Sequence, residues 1–109
     1  MTESHGNRLR VAVIGVGHLG SRHAARLCAS DRFDLTAVYD QDAARAAREA
    51  TRWETYQARS LEEAIEGAEA VVVATSTSSH FEAAEAAIRA RRHVLVEKPI
   101  TGRIAEADA

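Results

Sequence analysis

The chain alternates between short apolar runs and longer amphipathic stretches. The apolar runs are rich in β-branched residues and have the length of strands, whereas apolar residues recur at helical spacing between them. This pattern predicts five strands, over Leu9–Ile14, Phe33–Tyr39, Glu54–Gln57, Ala70–Ala74 and His93–Val96. It predicts four helices, the last two opened by Ser-x-x-Glu capping boxes, over His18–Ala29, Asp40–Ala50, Ser60–Gly67 and Ser79–Arg91.

The order of these segments predicts the fold class. Strands that alternate with helices through short connections form a parallel sheet with helices on both faces and right-handed crossovers. The run Ala70–Ala74 is the most apolar, as expected of a strand buried on both faces. We therefore predict an α/β, doubly wound parallel sheet, with a disordered tail at residues 1–8 and a single domain over residues 9–109.

A glycine-rich loop follows the first predicted strand. Gly15, Gly17 and Gly20 stand in the order G-x-G-x-x-G between that strand and the next helix. In this context the first glycine permits a tight turn, the second lets a pyrophosphate approach the backbone, and the third lets the helix pack closely. The amides that open the helix at His18 and Leu19 would then face the phosphates. The loop predicts a dinucleotide site and hence a Rossmann fold.

An acidic residue stands at the distance that this motif requires. Asp40 follows Gly20 by twenty residues and ends the second predicted strand, where a carboxylate can accept both hydroxyls of an adenosine ribose. The alternative is that Asp40 only caps the next helix. Asp40 and the nearby Asp42 repel a 2′-phosphate, and Arg45 sits a turn into the helix, where it can point away. NAD is therefore favoured over NADP.

The last predicted strand is followed by two rare residues. Lys98 is the only lysine and Pro99 the only proline, whereas thirteen arginines supply the remaining positive charge. An ammonium can lose its proton when desolvated, unlike a guanidinium, and proline restricts the preceding residue to extended conformations. Because ligands of such sheets bind at the carboxyl ends of strands, Lys98 is a candidate acid–base group. The alternative is a solvated surface charge.

Composition and charge narrow the function classes. The net charge of −2, with acids and bases interleaved, gives no basic stripe for nucleic acid, and no apolar run is long enough to span a membrane. The single cysteine, Cys28, excludes an intrachain disulfide and a cysteine metal cluster, and we expect it to be a small core residue. A soluble, cytoplasmic protein without a metal site is expected.

With these motifs together, the chain resembles the NAD(P)-binding Rossmann domain of the Gfo/Idh/MocA oxidoreductases. The resemblance rests on four stretches: GVGHLGSRHA from Gly15, VYD ending at Asp40, ATSTSSH ending at His80, and HVLVEKPI from His93. The Thr-Ser before the histidine, in a loop where family members usually have Thr-Pro-Asn, looks more like the branch that oxidises sugar nucleotides.

The resemblance implies roles for particular residues. Lys98 matches the catalytic lysine near the nicotinamide and the reacting hydroxyl, with Glu97 beside it. The loop Thr75–His80 matches the segment under the nicotinamide ribose, within which His80 is expected to be structural rather than catalytic. The cofactor-binding residues expected in all are Gly15, Gly17, His18, Leu19, Gly20, Asp40, Thr75, Ser76, His80, Glu97 and Lys98.

The resemblance also implies a second, α+β domain, which we expect to be missing from this chain. In the family that domain forms the substrate pocket and usually makes the oligomer. Two functions therefore stay open. The chain is either the NAD-binding domain of an oxidoreductase that transfers a hydride between a sugar or sugar-nucleotide hydroxyl carbon and nicotinamide, or a standalone NAD-binding module that needs a partner chain. Without the second domain, the outer face and edge of the fifth strand are expected to be exposed and to favour self-association.

Overall fold

The computed structural model describes residues 8–75 and 77–96 of the chain. Within these residues strands and helices alternate as predicted, in the order β1 Leu9–Ile14, α1 His18–Cys28, β2 Phe33–Tyr39, α2 Ala43–Arg52, β3 Tyr56–Gln57, α3 Leu61–Glu66, β4 Ala70–Val73, α4 Thr77–Arg89 and β5 His93–Val96. Residues 1–7 of the predicted tail lie outside the described residues, while Arg8 forms an ion pair with Asp34 at 3.2 Å.

The five strands form one parallel sheet in the order β3-β2-β1-β4-β5. This confirms the predicted doubly wound α/β class. Ile14, at the end of β1, pairs with Tyr39 of β2 on one side and with Val73 of β4 on the other. The three central strands therefore end at one level. The order reverses between β1 and β4, which places a crevice at that edge.

Helices cover both faces of the sheet because successive side chains of a strand point to opposite sides. On one face, Val11 and Val13 of β1 share a buried cluster with residues of α1 and α2, among them Leu27 and Ala50. On the other face, Ile14 packs in a cluster that includes residues of α3 and α4, among them Ile65, Ala83 and Ala87. The core is thus two thin layers of small aliphatic side chains, one on each side of the sheet.

Two helices begin at residues other than those predicted. Helix α2 begins at Ala43 rather than Asp40, because the Asp42 side chain accepts the backbone N–H of Arg45 at 3.1 Å and makes Asp42 the N-cap. Helix α4 begins at Thr77, so Ser79 lies inside the helix rather than at its start. In α3 the Ser60 hydroxyl accepts the N–H of Glu63 at 3.1 Å, which is the predicted cap. The Glu63 carboxylate accepts the N–H of Arg59 at 2.6 Å, one residue before the N-cap that a capping box would use.

Cys28 is exposed, so the expectation of a core residue is wrong. Helix α1 buries Gly20, Ala24 and Leu27, which fall on one face of the helix. The next residue is rotated by about 100°, which turns the Cys28 side chain away from that face. Partial burial still raises the pKa of the Cys28 thiol above its ordinary value.

Large apolar side chains remain exposed beside the outer strand β5. Leu95 and Val96 of β5 are 54% and 40% exposed, and Phe81 and Ile88 of α4 are exposed as well. The exposed outer strand expected from the sequence is therefore present. No helix in the described part of the chain is both long and apolar enough to cross a membrane.

Candidate functional site

A cavity of about 500 Å³ opens where β1, β2 and β4 end. One wall is the loop between β1 and α1, a second is the loop after β2, and a third is the segment after β4. Its lining contains six of the residues predicted to bind a cofactor, namely Gly15, Gly17, His18, Leu19, Asp40 and Thr75. The structure therefore brings together residues that are up to sixty positions apart in the sequence.

The glycine loop is shaped by two close backbone approaches. Gly15 has φ +90°, and a Cβ at this position would lie 2.7 Å from backbone atoms of Ala74 and Thr75. A Cβ on Gly20 would lie 1.6 Å from the carbonyl oxygen of Gly15. Gly20 is therefore behind the cavity, where it seats α1 against the loop, and does not line it. Around Gly17 the space is open apart from the Arg45 guanidinium at 3.7 Å.

The N-terminus of α1 faces this cavity without a side-chain cap. Gly17 is the N-cap residue and has no side chain with which to cap the helix, and the first turn has no acidic residue. The first N–H groups of a helix have no acceptor within the helix, and the helix dipole makes that end attractive to anions. This end of the helix is suited to a pyrophosphate.

Asp40 is fixed beside the glycine loop by two backbone amides. Its Oδ2 accepts the N–H of Val16 at 2.8 Å, and its Oδ1 accepts the N–H of Asp42 at 2.8 Å. Asp42 caps α2, so the alternative in which Asp40 merely caps that helix is wrong. A carboxylate oxygen accepts two hydrogen bonds, which leaves one acceptor site on each oxygen for ribose hydroxyls.

Arg45 does not point away from the site, contrary to the expectation from the sequence. Its Nη1 lies 3.7 Å from Oδ2 of Asp40, and its Nη2 lies 3.9 Å from Oδ2 of Asp42. Because α2 begins three residues later than predicted, Arg45 is in the first turn and its side chain returns to the cavity. The spacing of Asp42 and Arg45, three residues apart at a helix start, is the local signal for this contact.

Thr75 carries an unsatisfied hydroxyl at the cavity wall. Its buried Oγ1 has no hydrogen-bond partner in the described structure. The residue lines both the first cavity and a second of about 290 Å³, which lies beside α3 and α4. Buried hydroxyls in proteins are nearly always paired, so an unpaired one here indicates a place for a polar group of a ligand. The residues present therefore fit a nucleotide cofactor.

The remaining predicted site residues cannot be placed in this cavity. Ser76, Glu97 and Lys98 lie outside the described residues. The backbone of His80 lies within α4, and its side chain is outside the described part of the chain. The role of Lys98 thus stays a prediction.

A dinucleotide needs amides for its phosphates and a carboxylate for a ribose, brought together where the strand order reverses. The cavity provides both at that position, so this is a dinucleotide-binding domain of the Rossmann class. Comparison with known sequences then gives the family. Residues 9–109 match GFO_IDH_MocA, described as an oxidoreductase family with an NAD-binding Rossmann fold. The chain belongs to this family, as its motifs predicted.

Three relatives illustrate the match. UDP-N-acetylglucosamine 3-dehydrogenase of Acidithiobacillus ferrooxidans is 42% identical over 101 residues, which cover 93% of this chain and 32% of that protein. Its crystal structure superposes with a TM-score of 0.80 at 40% identity, covering 93% of this chain and 33% of that one. GenD2 from gentamicin A biosynthesis, in complex with NAD, has a TM-score of 0.81 at 42% identity and covers 86% of this chain and 28% of that one. Myo-inositol 2-dehydrogenase of Thermotoga maritima is 35% identical over 104 residues, covering 92% and 31% of the two chains. The chain spans about a third of the length of the curated relatives that it matches.

Proposed function

We propose that this domain binds NAD for a dehydrogenase that moves a hydride between a hydroxyl carbon of a sugar or sugar nucleotide and nicotinamide. The observation that carries the proposal is the Asp40 carboxylate, held at 2.8 Å by the Val16 amide beside an uncapped helix N-terminus. The relatives named above supply the substrate class, since two of them are named as dehydrogenases of a sugar nucleotide and of an inositol.

Each wall of the cavity has a defined task in this proposal. The free acceptor sites of Asp40 receive the 2′- and 3′-hydroxyls of the adenosine ribose. The first-turn amides of α1 hold the pyrophosphate, and Gly17 leaves room for it to approach the backbone. Thr75 Oγ1 forms a hydrogen bond with a polar group of the cofactor, which removes the free-energy cost of a buried hydroxyl without a partner. When bound, nicotinamide supplies the hydride chemistry.

The direct test is a calorimetric titration of the chain with NAD. We expect saturable binding, and we expect Asp40→Ser to weaken it by about ten- to a hundredfold, the size of losing hydrogen bonds to a charged acceptor. Asp31→Ser is the matched control, because Asp31 is an exposed aspartate that does not line the cavity. Absence of saturable NAD binding at millimolar concentration would overturn the proposal.

Catalysis is assigned to Lys98, which would exchange a proton with the reacting hydroxyl. Arginine keeps the charge but does not release its proton at ordinary pH, so Lys98→Arg separates the two roles of the side chain. In a protein that joins this domain to a substrate domain, the variant should lower turnover by about 10²–10⁴-fold. Unchanged turnover would identify Lys98 as a solvated surface charge, which is the alternative to an acid–base group that the sequence leaves open. A wild-type fusion without turnover would favour a standalone NAD-binding module.

A further inference from the structure

The charge that faces the ribose end of the cavity is not that of Asp40 alone. The Asp40 side chain is only 10% exposed, and the Arg45 guanidinium lies 3.7 Å from its Oδ2. The same guanidinium is 3.9 Å from Oδ2 of Asp42 and 3.7 Å from the Cβ position of Gly17. The Arg45 guanidinium therefore lies beside the glycine loop and between the two carboxylates.

Arg45 is available to a ligand in this position. Both of its contacts with carboxylates exceed 3.5 Å, so they are ion pairs without direct hydrogen bonds, and its side chain is 45% exposed. Its backbone is fixed, because the Arg45 N–H donates to Asp42 Oδ1 at 3.1 Å. The guanidinium thus has donors to offer, on a backbone that is already ordered.

We propose that Arg45 sets how strongly the domain discriminates between NAD and NADP. A 2′-phosphate placed beside Asp40 and Asp42 meets two negative charges, which disfavour it. Arg45 cancels part of that repulsion and offers its fork of N–H donors to the phosphate oxygens. The domain therefore prefers NAD but retains measurable affinity for NADP, and that residual affinity depends on Arg45. This inference rests on the proposed NAD-binding function.

The test compares the ratio of the NADP and NAD dissociation constants in three proteins. In the Arg45→Gln variant the ratio should rise by about tenfold or more, the effect of losing one charge-assisted hydrogen bond. Arg48→Gln is the matched control, because Arg48 is an exposed arginine of the same helix that does not line the cavity. It removes the same charge from outside the cavity and should change the ratio less than about twofold, since water and salt screen an exposed charge that makes no direct contact with the phosphate.

The outcomes separate this inference from the function on which it rests. If wild type binds neither cofactor, the proposed function fails. If NAD binds but Arg45→Gln leaves the ratio within twofold of wild type, NAD binding stands and the role of Arg45 is refuted. An equal rise in both arginine variants would also refute it, because the effect would then belong to net charge rather than to this position.

Discussion

Replacing Gly20 by alanine tests how the glycine loop and α1 are held together. A Cβ at Gly20 would lie 1.6 Å from the carbonyl oxygen of Gly15 and 2.7 Å from its carbonyl carbon. Both obstacles are backbone atoms, which cannot rotate away as a side chain can. The helix and the loop must move apart by more than 1 Å before the methyl group fits.

The expected cost follows from what this movement disturbs. Overpacking a well-packed site typically costs about 1–3 kcal/mol and occasionally more. Here the displaced helix also carries the buried residues Ala24 and Leu27, so we expect about 3 kcal/mol. For a domain of this size, that loss lowers the melting temperature by roughly 12–24 °C. Because Gly15 lines the cavity, NAD affinity should fall by about tenfold or more.

Gly67→Ala is the matched control for this experiment. A Cβ on Gly67 meets nothing within 4 Å, and Gly67 has φ −87°, which any residue adopts. Alanine there should stabilise the fold by about 0.4–1 kcal/mol, through a less flexible unfolded chain. Circular dichroism melts and NAD titrations of both variants provide the measurement. A Gly20→Ala variant that melts within 2 °C of wild type, with unchanged NAD affinity, would refute the close approach of α1 to the loop.

Three further predictions concern stability and association. Arg92 donates hydrogen bonds to carbonyls at the ends of α3 and α4, at 2.8–3.4 Å. Arg92→Ala should therefore lower the free energy of unfolding in urea by about 2 kcal/mol, whereas replacement of the exposed Arg89 by alanine should lower it by less than about 0.5 kcal/mol. Hydrogen bonds, led by the backbone N–H of Arg59, hold the pKa of Glu63 below its ordinary 4.5. Above pH 4.5 the free energy of unfolding of wild type should therefore exceed that of Glu63→Gln, and this difference should disappear as the pH falls through the lowered pKa. A difference that stays constant with pH would contradict this. Leu95→Lys should reduce self-association in light scattering, because it charges the exposed face of β5; equal scattering by both proteins would argue against that face.

The parts of the fold that could be predicted from the sequence are those determined by residues close to one another in the chain. The glycine loop needs small residues because atoms five positions apart collide, as Gly20 and Gly15 show. The N-cap of α3 joins Ser60 to Glu63 within one turn. The apolar run of β4 reflects a strand buried on both faces, since Val71 and Val73 pack on one side and Val72 on the other. Each of these signals is complete within a few residues.

Other features depend on contacts between residues that are far apart in the sequence, and a local sequence pattern does not predict them. The pairing of β1 with β2 shifts between Val11 and Ala12, whose partners are Leu35 and Ala37, so Thr36 is passed over. The Thr36 hydroxyl donates to the Val11 carbonyl at 3.2 Å instead. Alternation along β2 alone does not reveal a shift that exists only relative to its neighbour.

The start of α2 shows how one distant contact reaches the chemistry of the site. Asp40 and Asp42 are both good N-cap residues, so the sequence leaves two starts open. The amide of Val16, twenty-four residues earlier, takes one oxygen of Asp40 and keeps this carboxylate at the glycine loop. Asp42 then becomes the cap, and the helix begins three residues later than its composition suggested.

The later start of α2 determines which charges lie beside a bound cofactor. With Asp42 as the cap, Arg45 falls in the first turn and its guanidinium reaches Asp40 at 3.7 Å. An acidic residue after the second strand is ordinarily enough to infer a preference for NAD, because its charge faces the 2′ position uncompensated. Here the same hydrogen bond that positions the acid also brings a base beside it. The strength of the preference is therefore a property of the Asp40–Arg45 pair and cannot be inferred from the acid alone.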